Sequence, residues 1–175
     1  MKKLLLAALL VTHLCLAATP ESILTEINRY RHEQGLSALQ MNSSISLEAK
    51  HHSMDMAEHK TPFGHQGFNS RVSRLFTTIK RSDGAAENVA YLPGNNANNV
   101  VKLWLHSSGH RRNIEGHYNL TGIGMAYDQH GTVYVTQIFL RTGVKHRATN
   151  ARYQMHPGQV LSELVQLPRK LIRIF

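Results

Sequence analysis

Apolar residues recur at helical spacing through the first half of the chain and alternate at strand spacing further on. Ile23, Ile27 and Tyr30 lie three to four residues apart, a period that predicts a helix. Thr19 can cap it, Pro20 suits its first position, Glu21 complements the N-terminal dipole, and Gly35 closes it. A second helix opens at Asn42 or Ser43 and runs to about Lys60. Leu47, Met54 and Ala57 are expected on one face of it. His51 falls on that face and reads as a satisfied core histidine. Residues 61–69 hold Pro62, Gly64 and Gly67 and predict a loop. Residues 71–76 fit a short helix. Val100, Val101, Trp104 and Leu105 mark another, preceded by the polar residues 95–99 and ended by Ser107, Ser108 and Gly109. Trp104 is expected in the core.

Two strands follow. Residues 122–127 and 132–140 flank Asp128-Gln129-His130-Gly131, a hairpin loop with glycine at its close. Tyr134, Thr136, Ile138 and Leu140 share one side of the second strand; Val133, Val135, Gln137 and Phe139 take the other. Neither side is clearly polar, which predicts a central strand covered on both faces.

The ends differ from this middle. Lys2 and Lys3 precede a short apolar stretch, residues 4–16, then Ala17 and Ala18. This pattern reads as a secretory signal peptide over residues 1–18, which places the protein outside the cytoplasm, secreted or periplasmic. Cleavage would lower the net charge of +9 by two and remove Cys15, the single cysteine, leaving a disulfide-free exported domain. Residues 19–141 form one domain, large enough to bury a core without staples. Residues 142–175 read as a basic C-terminal extension. Its last part sets Arg169, Lys170 and Arg173 among Leu171, Ile172, Ile174 and Phe175. That alternation suits an anionic envelope surface, or else a final strand docked on the domain. No nucleic-acid motif is present, so nucleic acid is not an expected partner. A monomer is the default.

Twelve histidines supply the candidate chemistry. His65 lies in a Gly-rich loop, Glu87 in Ala86-Glu87-Asn88-Val89-Ala90, and His110 just beyond Ser107-Ser108-Gly109. Two imidazoles and a carboxylate suit zinc or another divalent cation with a position open to water. Spacing alone does not bring them together, and three separate loop residues are the plainer reading. A nucleophile reading pairs Ser107 or Ser108 with His110, with Glu87 orienting the ring. No Gly-x-Ser-x-Gly elbow supports it. His106 and His117 neighbour the candidate site as spare ligands.

The ordered set of segments resembles the CAP superfamily, which takes its name from cysteine-rich secretory proteins, antigen 5 and pathogenesis-related 1 proteins. Its domain is also called SCP, and the disulfide-free bacterial branch is the nearest match. The matching pieces are Ile27-Asn28-Arg29-Tyr30-Arg31, Met54-Asp55-Met56-Ala57, Phe63-Gly64-His65 and Glu87-Asn88-Val89-Ala90. Trp104 through Ile114, Asn119-Leu120-Thr121-Gly122-Ile123-Gly124 and Gln137-Ile138-Phe139 complete the set. The resemblance implies an α+β fold, an α-β-α sandwich with a small antiparallel sheet between helical layers. It also implies a cavity of two histidines and two acidic residues, which holds a divalent ion in some members. His65, Glu87 and His110 match three of these positions. Ser107 stands where the second glutamate usually falls, which removes a charge and a hard ligand. The trio therefore reads equally as a metal site or as a buried polar network.

Three functions compete. The first is a non-enzymatic binding module for a small apolar ligand, a divalent metal or a partner protein at the cavity, since lipid and sterol binding occur in the family. The second is a hydrolase, metal-assisted or serine-based, using His65, Glu87, His110 and Ser107. The third is an envelope-surface protein that acts through its basic tail. Fold alone does not choose among them.

Overall fold

The computed structural model describes residues 18–93 and 97–143, together with the backbone of 172–174. The side chains of residues 97 and 98 are outside the description. So are the leader, apart from Ala18, and most of the C-terminal extension.

The helices are α1 (Pro20–Glu33), α2 (Ser43–Ala57), α3 (Phe68–Thr78), α4 (Ala97–His106) and α5 (Ser108–Ile114). The strands are β1 (Gln40–Met41), β2 (Ser82–Pro93), β3 (Leu120–Tyr127), β4 (Thr132–Thr142) and β5 (Ile172–Ile174). They form one sheet in the order β1-β3-β4-β2-β5. The three long strands are antiparallel to one another where they pair, and the short strands β1 and β5 add parallel edges. β4 is central and paired on both sides from Val133 to Leu140, as its two apolar faces predict.

Two cores sandwich this sheet. On one face Ile23, Ile27, Val100, Val101, Trp104 and Ile114 of α1, α4 and α5 pack on Ala86, Ala90, Ile123, Val135 and Phe139. On the other, Ile45, Ala49, Phe68, Val72 and Leu75 of α2 and α3 pack on Ala85, Ile138 and Leu140. The alternation of β2 thus sends Ala86 and Ala90 to one layer and Ala85 to the other. The result is an α-β-α sandwich.

Local chemistry explains the boundaries. Thr19 caps α1 with a reciprocal pair, its hydroxyl accepting from the Ser22 N–H and the Ser22 hydroxyl accepting from the Thr19 N–H. The Asn42 side chain accepts from the Ile45 N–H at the start of α2. Trp104 is fully buried, and its indole N–H donates to the Val89 carbonyl at 3.2 Å, binding α4 to β2.

Several expectations need correction. The buried face of α2 is Ile45, Ala49, His52, Ser53, Met56 and Ala57, whereas Leu47, His51 and Met54 are exposed. The core histidine is therefore His52, one position from the expected His51, because the helix turns a different stripe to the sheet. Residues 82–93 form a twelve-residue strand that periodicity did not mark. Its run from Asp83 to Ala90 is buried throughout, so it shows no alternation. Ser107 does not simply end a helix: it is the N-cap position of α5. The short helix expected over 71–76 extends from Phe68 to Thr78. The signal-peptide assignment rests on residues 1–17, which lie outside the described residues, and so does the extension between residues 144 and 171. The backbone of β5 pairs beside Ala85, Ala86 and Glu87 of β2.

Candidate functional site

Glu87 is the centre of the site. It lies on β2 and is fully buried. A buried carboxylate requires a partner, and α3 supplies one. Arg71 donates from Nε to Oε2 at 3.0 Å, and from Nη2 to Oε1 at 2.8 Å and Oε2 at 2.7 Å. Its Nη1 donates to the Gln66 carbonyl at 2.7 Å, which fixes the guanidinium from a second side. Arg71 is itself buried.

His65 completes the coordination of the carboxylate. Its Nδ1 lies 2.9 Å from Glu87 Oε1, so Nδ1 carries the proton and donates. In the neutral ring Nε2 then holds the lone pair. A cavity of about 380 Å3 opens at this loop, lined by His65, Gln66, Gly67, Phe68 and Asn69. His52 stands behind. Its Nε2 is 4.0 Å from Glu87 Oε1 but donates to the Gly64 carbonyl at 2.8 Å. It thus holds the loop that carries His65. Burial, and then the Arg71 charge, push the His52 pKa below the ordinary histidine value. His52 is therefore neutral near pH 7.

His110 approaches from α5. Burial lowers its pKa, and the neighbouring His65 lowers it further. Its Nδ1 is buried and has no hydrogen-bond partner among the described residues. Its carbonyl accepts from Asn88 Nδ2 at 3.2 Å. The side-chain oxygen of Asn88 accepts from Asn113 Nδ2 at 2.9 Å. This amide chain ties α5 to β2 beside the site. Ser107 is half-buried and makes no side-chain cap. Its carbonyl accepts the Arg111 N–H at 2.9 Å.

The structure thus joins His65 to Glu87 and sets His110 within electrostatic reach of His65. The imidazole that Glu87 orients is His65. His106 and His117 are exposed, and His106 Nδ1 bonds the Lys102 carbonyl within its own helix. Arg71 and His52 are the site residues that sequence reasoning missed. A signal for Arg71 existed. Phe68, Arg71, Val72 and Leu75 recur at helical spacing and are all buried. A lone arginine on an apolar stripe demands a buried acid.

Glu87 fits a divalent ion poorly as a ligand. Both of its oxygens already accept from a guanidinium, and Oε1 accepts from His65 as well, although Nε2 of His65 keeps its lone pair. No group of three or more His, Cys, Asp or Glu side chains is arranged to hold a metal among the described residues.

Residues 24–139 match the model of the CAP family, the cysteine-rich secretory protein family. The chain belongs to that family, and its single cysteine sets it with the disulfide-free bacterial members. It is 32% identical over 123 residues to YkwD of Bacillus subtilis (strain 168), covering 69% of this chain and 47% of the relative. The chain therefore spans about half the length of that curated relative. Among solved structures it is similar to an extracellular SCP-domain protein of Bacillus anthracis, at 25% identity and a TM-score of 0.55. That match covers 70% of this chain and 40% of the other. It shares its fold with an outer surface protein of Borrelia burgdorferi, at 17% identity and a TM-score of 0.61, over 70% of this chain and 92% of that one.

Proposed function

We propose that the chain is an exported, non-enzymatic binding module whose ligand is a small apolar molecule. The observation that carries this reading is an open apolar groove of about 600 Å3 between the start of α1, α2 and β3. Pro20, Leu47, Ile123, Met125 and Tyr127 supply its apolar lining, and Lys50 stands at its side. The volume lies in the range of sites for small ligands. Leu47 and Tyr127 are large apolar side chains left about half exposed at 56% and 49%, a pattern that marks a binding surface when such residues cluster. The signal-like leader and the extracellular Bacillus anthracis relative support export.

Titration of the purified chain with a fluorescent long-chain fatty acid tests the reading. Saturable binding that is lost in Leu47→Glu and Tyr127→Lys, with unchanged unfolding midpoints, is expected. Binding that survives both substitutions, or none in the unsubstituted chain, contradicts it.

One observation favours a hydrolase as the second reading. A carboxylate 2.9 Å from Nδ1 of His65 orients that ring as a base with its lone pair on Nε2. The Arg71 guanidinium shares that carboxylate and bonds both of its oxygens. Hydrolysis of peptide or ester probes that disappears in His65→Ala, with folding intact, is what this second reading requires.

A further inference from the structure

We infer that Arg71 is the resident cation of the buried cluster at Glu87: its guanidinium neutralises the carboxylate and bonds both of its oxygens, so the cluster excludes a divalent ion. The inference is independent of the apolar groove, which lies on other residues.

Three features of the site lead to it. The first is saturation. Glu87 accepts from Nε and Nη2 of Arg71 and from Nδ1 of His65, so neither oxygen of the carboxylate lacks a donor. A divalent ion would have to displace one of these bonds. The second is charge. Glu87 is the carboxylate that Arg71 and His65 both bond, and the guanidinium already balances its charge. A divalent ion added beside Arg71 would leave two uncompensated positive charges in a buried cluster, which is strongly unfavourable where screening is weak. The third is anchoring. Arg71 is buried and bonded to the Gln66 carbonyl at 2.7 Å, within the loop that carries His65. It cannot swing out without breaking that loop contact as well. The cluster thus balances one carboxylate against one guanidinium.

The arrangement also assigns the histidines a role. With Arg71 in place, His65 orients the carboxylate and His52 holds the loop, rather than acting as ligands. His52 is already committed to the Gly64 carbonyl.

Zinc chloride titration followed by calorimetry and native mass spectrometry tests the inference. The probes are the unsubstituted chain, His65→Ala, Arg71→Met and the double variant Arg71→Met/His65→Ala. Surface histidines contribute a zinc background that is the same in the unsubstituted chain and in His65→Ala. Arg71→Met, which frees the carboxylate and removes the opposing charge, is expected to gain one zinc ion bound about tenfold or more tightly than that background. The gain should vanish again in the double variant. If Arg71→Met fails to fold alone, zinc should restore its folded far-UV signal, and failure of zinc to do so counts against the inference. A one-to-one zinc complex of the unsubstituted chain that is lost in His65→Ala would overturn it outright. So would a folded Arg71→Met that binds zinc no better than the unsubstituted chain.

Discussion

Gly124 on β3 runs so close beneath Lys50 on α2 that a Cβ built on the glycine would lie 2.1 Å from the Lys50 backbone nitrogen. Gly122 meets the same helix a turn earlier, with its Cβ position 2.2 Å from the Ser46 nitrogen. Two strand glycines thus make a flat floor on which α2 lies at backbone contact. The obstruction is backbone, so no side chain can turn aside. Gly124→Ala is expected to force α2 outward and lower stability by about 1–3 kcal/mol, read as a shift in the urea unfolding midpoint. The same shift should weaken the apolar groove, because Lys50, Leu47 and Gly124 all line it.

Arg31 links α1 to the segment after α5. It is almost fully buried and donates from Nε to the Ser37 carbonyl at 2.9 Å and from Nη1 to the Gly116 carbonyl at 3.0 Å. It also bonds the Ile114 carbonyl. The side chain thereby satisfies carbonyls at the C-terminal end of α5. Arg31→Met keeps most of the buried stem and removes the donors. Each carbonyl left dry costs about 1–3 kcal/mol. A loss of at least about 2 kcal/mol in chemical denaturation is expected, and a loss below about 0.5 kcal/mol would show that these bonds are replaced by solvent.

The buried histidines set a pH dependence. His52 and His110 both have folded pKa values below the unfolded value of 6.5, each chiefly through burial. The unfolded chain therefore takes up protons before the folded chain does. Stability rises with pH wherever the unfolded state binds more protons. Their contribution is complete above about 6.5, and it is lost as pH falls from there through the folded values. Thermal unfolding midpoints should be level above neutrality and decline from about pH 6.5 downward. His52→Gln should flatten the upper part of that decline. An unchanged slope in His52→Gln would assign the decline to other groups.

Much of the architecture was legible because it rests on local signals. The Thr19–Pro20 start of α1, the hairpin around Gly131 and the double-sided β4 all follow from short-range chemistry. β2 was not legible as a strand, since both of its faces are covered and its buried run includes the polar pair Glu87 and Asn88. His52 was missed for a related reason. Apolar and polar residues are mixed around the whole circumference of α2, so its sequence does not state which stripe faces the sheet. Within the site, His65, Glu87 and His110 were visible through family resemblance. What joins them was not. The partner of Glu87 comes from a different element, sixteen positions earlier in the sequence, and only the packing of α3 on the sheet brings its guanidinium there. The resemblance rests on short matching segments, and Arg71 lies in none of them.

A double-mutant cycle between Arg71 and Glu87 tests the central claim most directly. Arg71→Met, Glu87→Gln and the double variant are compared with the unsubstituted chain by urea unfolding, without added metal. Arg71→Met strands a buried charge and is expected to cost about 3–5 kcal/mol. Glu87→Gln should cost a similar amount, and the double variant less than the two losses added together. The predicted coupling is about 2–3 kcal/mol. Coupling near zero, with both single variants close to the stability of the unsubstituted chain, would contradict the account. Glu87 would then be free for a metal or a substrate, and Arg71 would not be the cation that holds it.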